Sequence, residues 1–231
     1  ADLVRAVVYR FHATVADSMR SGRIFLAGDA AHQMPPFLGQ GLCSGIRDAA
    51  NLAWKLALVN DGVAVDGLLD TYGDERLRHA AGVVDHAVDT GRLIDELSGR
   101  APQRTGLDAA YGGSRPFPIL QDGMIHGEHP AVGRQLPQPI VDGRRLDELL
   151  GSGFALIVDD LAILDGVDLG WANLGWANLG QVVQVPAAAI PLVLPQGGAV
   201  RVRPDRYVAA VAHDAAELRT AGAALLVHIT G

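Results

Sequence analysis

The sequence contains little cysteine, few aromatic residues and no excess of basic charge. Its 231 residues include one cysteine, Cys43, which excludes an internal disulfide framework and an all-cysteine zinc site. Aromatic residues are 5% of the chain, whereas hydrophobic residues are 49%, so we expect a globular core built mainly from small aliphatic side chains. The net charge of −7 provides no basic surface for sequence-independent nucleic-acid binding, and we therefore expect no nucleic-acid partner.

Long apolar runs are also absent. The longest, Val185 to Pro195, contains three prolines and is much shorter than the ~20 residues that a membrane span needs. We therefore expect no membrane partner. The first ten residues lack the apolar segment of a signal peptide, which favours a cytoplasmic location. Because the chain has no initiator methionine, we expect Ala1 to be a cut point within a longer protein.

The hydrophobic pattern of the first hundred residues predicts two strands followed by two helices. Residues 4–15 are typical of a strand, and Ile24 to Ala27 of a buried one. Residues 30–40 contain two prolines and a glycine, so they cannot form one regular helix. Apolar residues at helical spacing then predict a helix from Gly41 to Asn60 and a second from about Leu68 to Leu97.

Glycines and prolines over residues 98–118 indicate a linker, which we place at 101–114. We expect residues 1–100 and 115–231 to be separate domains, and both to be of the α/β class. A repeated GWANL at 170–174 and 175–179 is too short for a solenoid and is interpreted as a duplicated loop. The elements predicted for the second domain are helices at 146–150 and 213–224 and strands at 154–158, 182–185, 190–194, 200–202 and 207–212.

The segment with the clearest chemical content is the Gly28-Asp29 pair and the helix that follows it. Asp29 follows a predicted strand, at the edge where open α/β sheets bind ligands, and its carboxylate can accept two hydroxyl hydrogen bonds. The Gly39-Gln40-Gly41 turn then opens a helix whose first N–H groups lack partners and whose dipole favours negative charge. The sequence therefore predicts a polyol-binding carboxylate one loop away from an anion-stabilising helix N-terminus.

Two other motifs have patterns close to this segment. Gly39, Gly41 and Gly45 miss the dinucleotide fingerprint, because residue 44 is Ser and nine residues separate the turn from Asp29. Gly41-x-Cys43-x-Gly45 has the form of a nucleophile elbow, although the residues before it make a poor strand. A Cys43 hydrolase therefore remains an alternative, and it predicts esterase activity without flavin.

The Gly28-Asp29 pair, His32, the two prolines and the Gly39-Gln40-Gly41 turn together resemble the second FAD-binding motif of class A flavoprotein aromatic hydroxylases. Residues 142–158 and 203–208 resemble the thioredoxin-like C-terminal domain of the branch that includes 3-(3-hydroxyphenyl)propionate hydroxylase. The resemblance implies the C-terminal part of an FAD/NAD(P)-binding domain of the p-hydroxybenzoate hydroxylase fold. A thioredoxin-like α/β domain without a CxxC motif would follow it.

The resemblance also assigns roles to individual residues. Asp29 would bind the ribityl chain of FAD, Gly28 would allow its close approach, and Pro36 would lie against the isoalloxazine. The backbone amides of Leu42 and Cys43 would contact the N1/C2 carbonyl edge of the flavin. The residues assigned to the cofactor site are Gly28, Asp29, Pro36, Gly39, Gln40, Gly41, Leu42 and Cys43.

The activity implied by the resemblance is hydroxylation of a phenolic aromatic acid with NAD(P)H and O2, through a flavin C4a-hydroperoxide. The N-terminal βαβ unit with its G-x-G-x-x-G turn, which such enzymes need, is not found in residues 1–231. We therefore expect this chain alone to bind FAD weakly or not at all, and to need the missing N-terminal half as a partner. A non-catalytic remnant that acts as a binding or dimerisation module is the alternative, and a homodimer stays open under either interpretation.

Four other polar groups receive structural interpretations, and no catalytic residue is assigned. His32 is expected to make a structural hydrogen bond, and Arg47-Asp48 to form an ion pair or surface charges on a helix. His126-Gly127-Glu128-His129 is interpreted as a solvated loop rather than a metal site, since the sequence shows no third ligand. Asp159-Asp160 is interpreted as a turn after a strand.

Overall fold

The computed structural model describes residues 6–100, 118–168 and 180–231. The predicted linker at 101–114 and the GWANL repeat lie outside these residues. The chain forms two compact units. The first comprises Ala1–Ala49 with Arg76–Pro118, and the second comprises Ala50–Glu75 with Ile119–Gly231. The division into domains at 1–100 and 115–231 stays a prediction.

The strands of the first unit form two short antiparallel pairs. Strand β1 (Thr14–Val15) pairs with β4 (His32–Gln33), and β2 (Arg20–Ser21) pairs with β3 (Ile24–Phe25). The turn between β2 and β3 contains Gly22 at φ +57°, a left-handed conformation that glycine adopts without steric cost.

Both strand predictions in this region need correction. The predicted strand at 4–15 is reduced to Thr14–Val15, and residues 6–13 have no regular structure. The segment Ile24 to Ala27 is not a buried strand, because Ile24 is 70% exposed and, within the described residues, β3 pairs with β2 alone. A strand is buried only when neighbouring strands and a covering layer surround it. Among the described residues β3 has a neighbouring strand on one side only, which the sequence alone did not reveal.

The two long helices agree with the prediction. Helix α1 spans Gly41–Asn60, and α2 spans Asp70–Leu97 after a single 3-10 turn at Asp66–Leu69. Two residues after the end of α1, Gly62 has a φ of +70°, and the Val63 amide bonds back to the Leu58 carbonyl at 2.9 Å. No helix among the described residues has the length and apolar content needed to cross a bilayer.

The second unit is built on a four-stranded mixed sheet. The strands are β7 (Phe154–Val158), β8 (Gly180–Gln184), β9 (Ala199–Val202) and β10 (Val208–Ala212). Their order in the sheet is β10-β9-β7-β8, where β7 and β8 are parallel and the other two pairs are antiparallel. All five residues of β7 are buried, as expected for a strand with neighbours on both sides.

Side chains of β7 alternate between the two faces of this sheet. Ala155 and Ile157 pack in one apolar cluster, whereas Leu156 and Val158 pack in another. Because each fully buried aliphatic side chain contributes roughly 1.5–3 kcal/mol, both faces stabilise the unit. The mixed helix and sheet content confirms the predicted α/β class.

Shorter elements complete the second unit. A hairpin of β5 (Ile140–Val141) and β6 (Arg144–Arg145) leads into helix α3 (Leu146–Leu150). Helix α4 (Ala215–Thr230) begins at Asp214, whose side chain accepts hydrogen bonds from the first-turn amides. The predicted helix at 213–224 therefore continues through the apolar residues that follow it.

The predicted strand at 190–194 is wrong. Its residues form a turn in which the Val193 and Leu194 amides both bond to the Ile190 carbonyl, although all three side chains are buried. Pro191 and Pro195 lack the N–H groups that a sheet ladder requires, which explains why an apolar run here does not become a strand.

Candidate functional site

The Gly28-Asp29 pair forms a tight turn in the first unit. Gly28–Ala30 is a single 3-10 turn closed by a 2.8 Å hydrogen bond from the Ala31 amide to the Gly28 carbonyl. Gly28 has φ +57°, and its backbone lies directly against Gly45 of α1. The side chain of Asp29 is exposed and makes no hydrogen bond to any described residue. The turn therefore presents a carboxylate that is free to accept hydrogen bonds.

A second turn, Pro36–Leu38, leads into α1. It ends at Gly39, which has φ +61° and donates its amide proton to the Pro36 carbonyl at 3.0 Å. Pro36 is exposed. The ring of Phe37 lies on Gly91 of α2, where a Cβ atom would come within 2.3 Å of the ring. The contact between Phe37 and Gly91 thus packs the Pro36–Leu38 turn, which directly precedes α1, against α2.

The start of α1 is the third part of the candidate site. The first i to i−4 hydrogen bond of the helix runs from the Ser44 amide to the Gln40 carbonyl at 2.8 Å. The three amides before it, those of Gly41, Leu42 and Cys43, have no carbonyl partner within the helix. No acidic side chain lies in the first turn, and Leu42 is 77% exposed. The helix N-terminus therefore keeps its partial positive charge and remains accessible to an anion or a carbonyl oxygen.

A buried carboxylate, Asp48, links these parts within the first unit. Its Oδ2 accepts hydrogen bonds from the Gly28 amide at 2.9 Å and from His32 Nε2 at 2.7 Å, and its Oδ1 accepts one from Arg76 Nε at 2.8 Å. The structural role predicted for His32 is confirmed. Of the two alternatives predicted for Asp48, the ion pair is confirmed, with Arg76 as its partner, and the surface charge is wrong because Asp48 is buried.

The environment of Asp48 keeps its carboxyl group ionised. Burial alone would raise its pKa, but the hydrogen bond from His32 and the charge and hydrogen bond of Arg76 outweigh burial, so the pKa is lowered. An ionised carboxylate only accepts hydrogen bonds, and Asp48 therefore suits three converging donors.

A second buried ionic cluster lies in the second unit and was not predicted. Glu75 accepts hydrogen bonds from Lys55 Nζ at 2.8 Å, from Asn51 Nδ2 at 2.6 Å and from both terminal nitrogens of Arg203 at 2.7–2.8 Å. Although burial acts to raise it, the charges of Arg203 and Lys55 lower the pKa of Glu75 to about 2. Arg203 also pairs with Asp205 at 2.6 Å, so the cluster is closed and charge-balanced.

The His126–His129 loop has an imidazole neighbour that sequence reasoning missed. Together with His213 and Glu217 it lines a cavity of about 440 Å³, and the rings of His129 and His213 lie 6.0 Å apart. The described residues nevertheless contain no group of three His, Cys, Asp or Glu side chains arranged to hold a metal ion.

Asp159 and Asp160 have the structural role that the sequence predicted. Asp159 accepts hydrogen bonds from the amides of Ala187 and Gly197, both at 2.7 Å, and Asp160 accepts one from Ala162 at 3.0 Å. Both carboxylates therefore close loops at the end of β7.

Comparison with known proteins agrees with the geometry of the first unit. Residues 2–87 match the family described as an FAD binding domain. The 3-(3-hydroxy-phenyl)propionate/3-hydroxycinnamic acid hydroxylase of Mycobacterium sp. (strain KMS) is 41% identical over 182 residues, which are 68% of this chain and 31% of the relative. A probable NADH-specific resorcinol 4-hydroxylase of Rhodococcus jostii (strain RHA1) is 35% identical over 94% of this chain and 45% of its own length.

Solved structures that the chain resembles also include flavin-containing hydroxylases and monooxygenases. The flavin-dependent monooxygenase PieE, in complex with FAD and substrate, is 26% identical with a TM-score of 0.70, over 93% of this chain and 49% of that protein. Aklavinone-11 hydroxylase, in a ternary complex with FAD and aklavinone, is 28% identical with a TM-score of 0.65. The chain spans a third to a half of the length of the relatives it matches. The chain is thus similar to part of the hydroxylases and the flavin-dependent monooxygenase named above, and its residues 2–87 match the FAD binding domain family.

Proposed function

We propose that this chain provides the second FAD-binding motif of an aromatic-ring monooxygenase that hydroxylates a phenolic compound. The observation that carries the proposal is the pairing of two features in one unit. The Gly28–Asp29 turn presents an exposed carboxylate, and the adjoining start of α1 is open and free of acidic side chains. A flavin requires both, because its ribityl chain offers hydroxyl groups and its reduced ring carries negative charge.

Each residue of the motif has a role that its position supports. Asp29 would accept hydrogen bonds from ribityl hydroxyls, and the positive φ of Gly28 would bring the backbone close to the cofactor. The amides of Leu42 and Cys43 would stabilise negative charge on the flavin ring, in the manner of an oxyanion hole. Pro36, which is exposed, would lie against the ring. Gly39, Gln40 and Gly41 would shape the turn between them.

The overall reaction consumes NAD(P)H, a proton and O2 together with the phenol, and yields NAD(P)⁺, water and the hydroxylated phenol. Bound FAD would accept the hydride and deliver one oxygen atom to the ring. The protein's part is to hold the cofactor, to stabilise its charge at the α1 N-terminus and to exclude water.

We propose further that a segment outside this chain completes the site. Large apolar side chains of the first unit are strongly exposed, among them Val8 at 94%. This exposure is expected if another part of the enzyme covers this unit. That segment would carry the G-x-G-x-x-G turn.

The rest of the chain would support this enzyme without redox chemistry of its own. We propose that residues 115–231 form a thioredoxin-like domain, for which the mixed β10-β9-β7-β8 sheet followed by α4 provides support. This segment contains no cysteine. The proposal includes a cytoplasmic location, where NAD(P)H is available, and allows a homodimer.

Product formation provides a direct test of the activity. The chain would be joined to the segment that we propose precedes it, supplied with FAD, NADH or NADPH and a set of phenolic acids, and assayed for hydroxylated product and hydrogen peroxide. We expect product from the joined protein and none from the 231-residue chain alone. If the joined protein binds FAD but forms neither product nor peroxide, the chain is better described as a binding or dimerisation module.

A further inference from the structure

We propose that Asp48 is a positioning residue that holds the Gly28–Asp29 turn against the first half of α1, so that Asp29 and the amides at the start of α1 face one FAD molecule at a constant spacing. The identity of the ligand rests on the proposed function. The holding of the turn does not, and it is measurable by itself.

The contacts of Asp48 join the turn to the helix directly. Asp48 belongs to α1, whereas Gly28, whose amide donates to Oδ2 at 2.9 Å, belongs to the turn. His32, which donates to the same oxygen at 2.7 Å, lies on strand β4 just beyond the turn. Arg76 of α2 donates to the other oxygen at 2.8 Å. One carboxylate therefore ties three segments of the first unit to α1.

A close backbone approach sets the spacing from the other side. A Cβ atom on Gly45 would lie only 3.3 Å from the Gly28 Cα, so the turn packs closely on the helix at a position where a residue without a side chain leaves room for it. Gly45 and Asp48 are three residues apart and share one face of α1. The hydrogen bond to Asp48 prevents the turn from moving away. Contact and hydrogen bond together define one distance between the turn and α1.

The charge of Asp48 is needed for this arrangement. All three of its partners are donors, and only an ionised carboxylate can accept from all of them. An asparagine of the same shape would direct its N–H group either at the Arg76 side or at the Gly28 side. At the Arg76 side it would deprive one donor of its acceptor, and at the Gly28 side two, Gly28 and His32; the loss is large for a buried or charged group.

The arrangement matters for binding because Asp29 has no anchor of its own. Its carboxylate is exposed and makes no hydrogen bond to the described residues, so its position is set by its backbone. Binding groups must be held to within about 0.5 Å of the productive geometry by supporting contacts. The Gly28 to Asp48 hydrogen bond, one residue before Asp29, is such a supporting contact and joins the turn to α1.

The test compares Asp48→Asn with Asp85→Asn, which removes an exposed carboxylate from α2. Amide hydrogen exchange of Gly28 is measured by NMR on the 231-residue chain, with the amides in the middle of α1 as an internal reference. FAD affinity is measured by flavin fluorescence on the chain joined to its completing segment. For Asp48→Asn we expect Gly28 exchange to rise and the dissociation constant for FAD to rise, each about tenfold or more, while the α1 amides keep their protection. Asp85→Asn should change neither.

The proposal is overturned if amide exchange of Gly28 in Asp48→Asn stays at the wild-type rate. It is also overturned if the joined wild-type protein binds FAD and the joined Asp48→Asn variant binds it equally tightly. A general rise in exchange throughout α1 would also overturn it, because the role of Asp48 would then be overall stability. If the wild-type joined protein binds no FAD, the proposed function fails, and the Gly28 exchange rates alone decide whether Asp48 holds the turn.

Discussion

At the scale of single residues, the candidate site separates side chains that would touch the cofactor from those that provide only backbone. Asp29 offers an exposed carboxylate, whereas Cys43 lies in the first turn of α1, where the backbone N–H is the useful group. Substitution of the Asp29 side chain should therefore affect flavin binding more than substitution of the Cys43 side chain, whereas a cysteine hydrolase would need the Cys43 thiol.

We predict that Cys43→Ser leaves FAD affinity of the joined protein within about twofold, since the backbone amide is retained. Asp29→Ala should weaken binding by tenfold or more, because it removes a charged hydrogen-bond acceptor. Flavin fluorescence titration measures both. Esterase activity that disappears in Cys43→Ser and needs no flavin would instead support the hydrolase alternative.

The buried cluster around Glu75 makes a separate prediction about stability. Glu75→Gln removes the charge that compensates Lys55 and Arg203 and should lower the free energy of unfolding by about 3–5 kcal/mol. The control is Glu148→Gln, which breaks an exposed ion pair with Arg144 at 3.6 Å and should change it by no more than about 0.5 kcal/mol. Urea unfolding of both variants measures these free energies. Equal decreases in the two variants would contradict the prediction that the buried ion pairs of Glu75 matter more for stability than the exposed pair of Glu148.

His79 gives the chain a predictable dependence on pH. Burial, with the nearby charges of Arg76 and Arg47, lowers its pKa to about 3, so between pH 6.5 and 3 the unfolded chain binds a proton at this residue that the folded chain does not. The free energy of unfolding therefore falls as the pH falls in this window, by up to ~1.4 kcal/mol per pH unit from this group.

His79→Leu should make the fall in unfolding free energy between pH 6 and pH 4.5 shallower than in the wild type. Exposed His12 provides the control, since His12→Gln should leave the slope unchanged. Urea unfolding at four pH values measures the slopes. A slope for His79→Leu equal to that of the wild type would show that His79 titrates normally in the folded chain.

The residues at the centre of both ionic clusters were beyond sequence reasoning for a physical reason. Asp48 and Glu75 appear as ordinary charges on helices, and charges are normally exposed. Their burial depends on partners far along the chain, such as Arg76 for Asp48 and Arg203 for Glu75. The Gly28-Asp29 pair, by contrast, has a local pattern that by itself predicts a ligand-binding turn, and its role in binding stays a prediction.

At the scale of elements, prediction succeeded where the pattern is long and local. Helix α1 was predicted from Gly41 to Asn60 and spans those residues, because many residues share one helical period and a glycine follows its end. The strand predicted at 190–194 failed because prolines removed its hydrogen-bond donors. The one at 4–15 failed because two-residue strands depend on pairing rather than on their own sequence.

Two glycines in the long helices provide a test of the contact between α1 and the Gly28 turn. Gly73→Ala in α2 has open space around the new methyl group and should stabilise the chain by up to ~1 kcal/mol. Gly45→Ala in α1 would place its methyl group 3.3 Å from Gly28 and should lose that gain. Thermal unfolding compares the two, and equal stabilisation would mean that the Gly28 turn is not held against α1.

At the scale of the whole molecule, the chain matches only part of its relatives. It covers 31% of the Mycobacterium hydroxylase and 45% of the Rhodococcus hydroxylase. Its first unit leaves large apolar side chains exposed, which a folded domain normally covers. We therefore propose that a complete flavin site requires groups from outside these 231 residues.

Titration of FAD tests whether the Gly28–Asp29 turn binds flavin. FAD is added to the chain alone and to the chain joined to the segment that we propose carries the G-x-G-x-x-G turn, and binding is followed by flavin fluorescence and absorbance. The account predicts saturable binding to the joined protein, weak or no binding to the chain alone, and a loss of tenfold or more in affinity with Asp29→Ala. If the joined, folded protein binds no FAD, or if Asp29→Ala binds it as tightly as the wild type, the assignment of Gly28-Asp29 as a flavin-binding turn is contradicted.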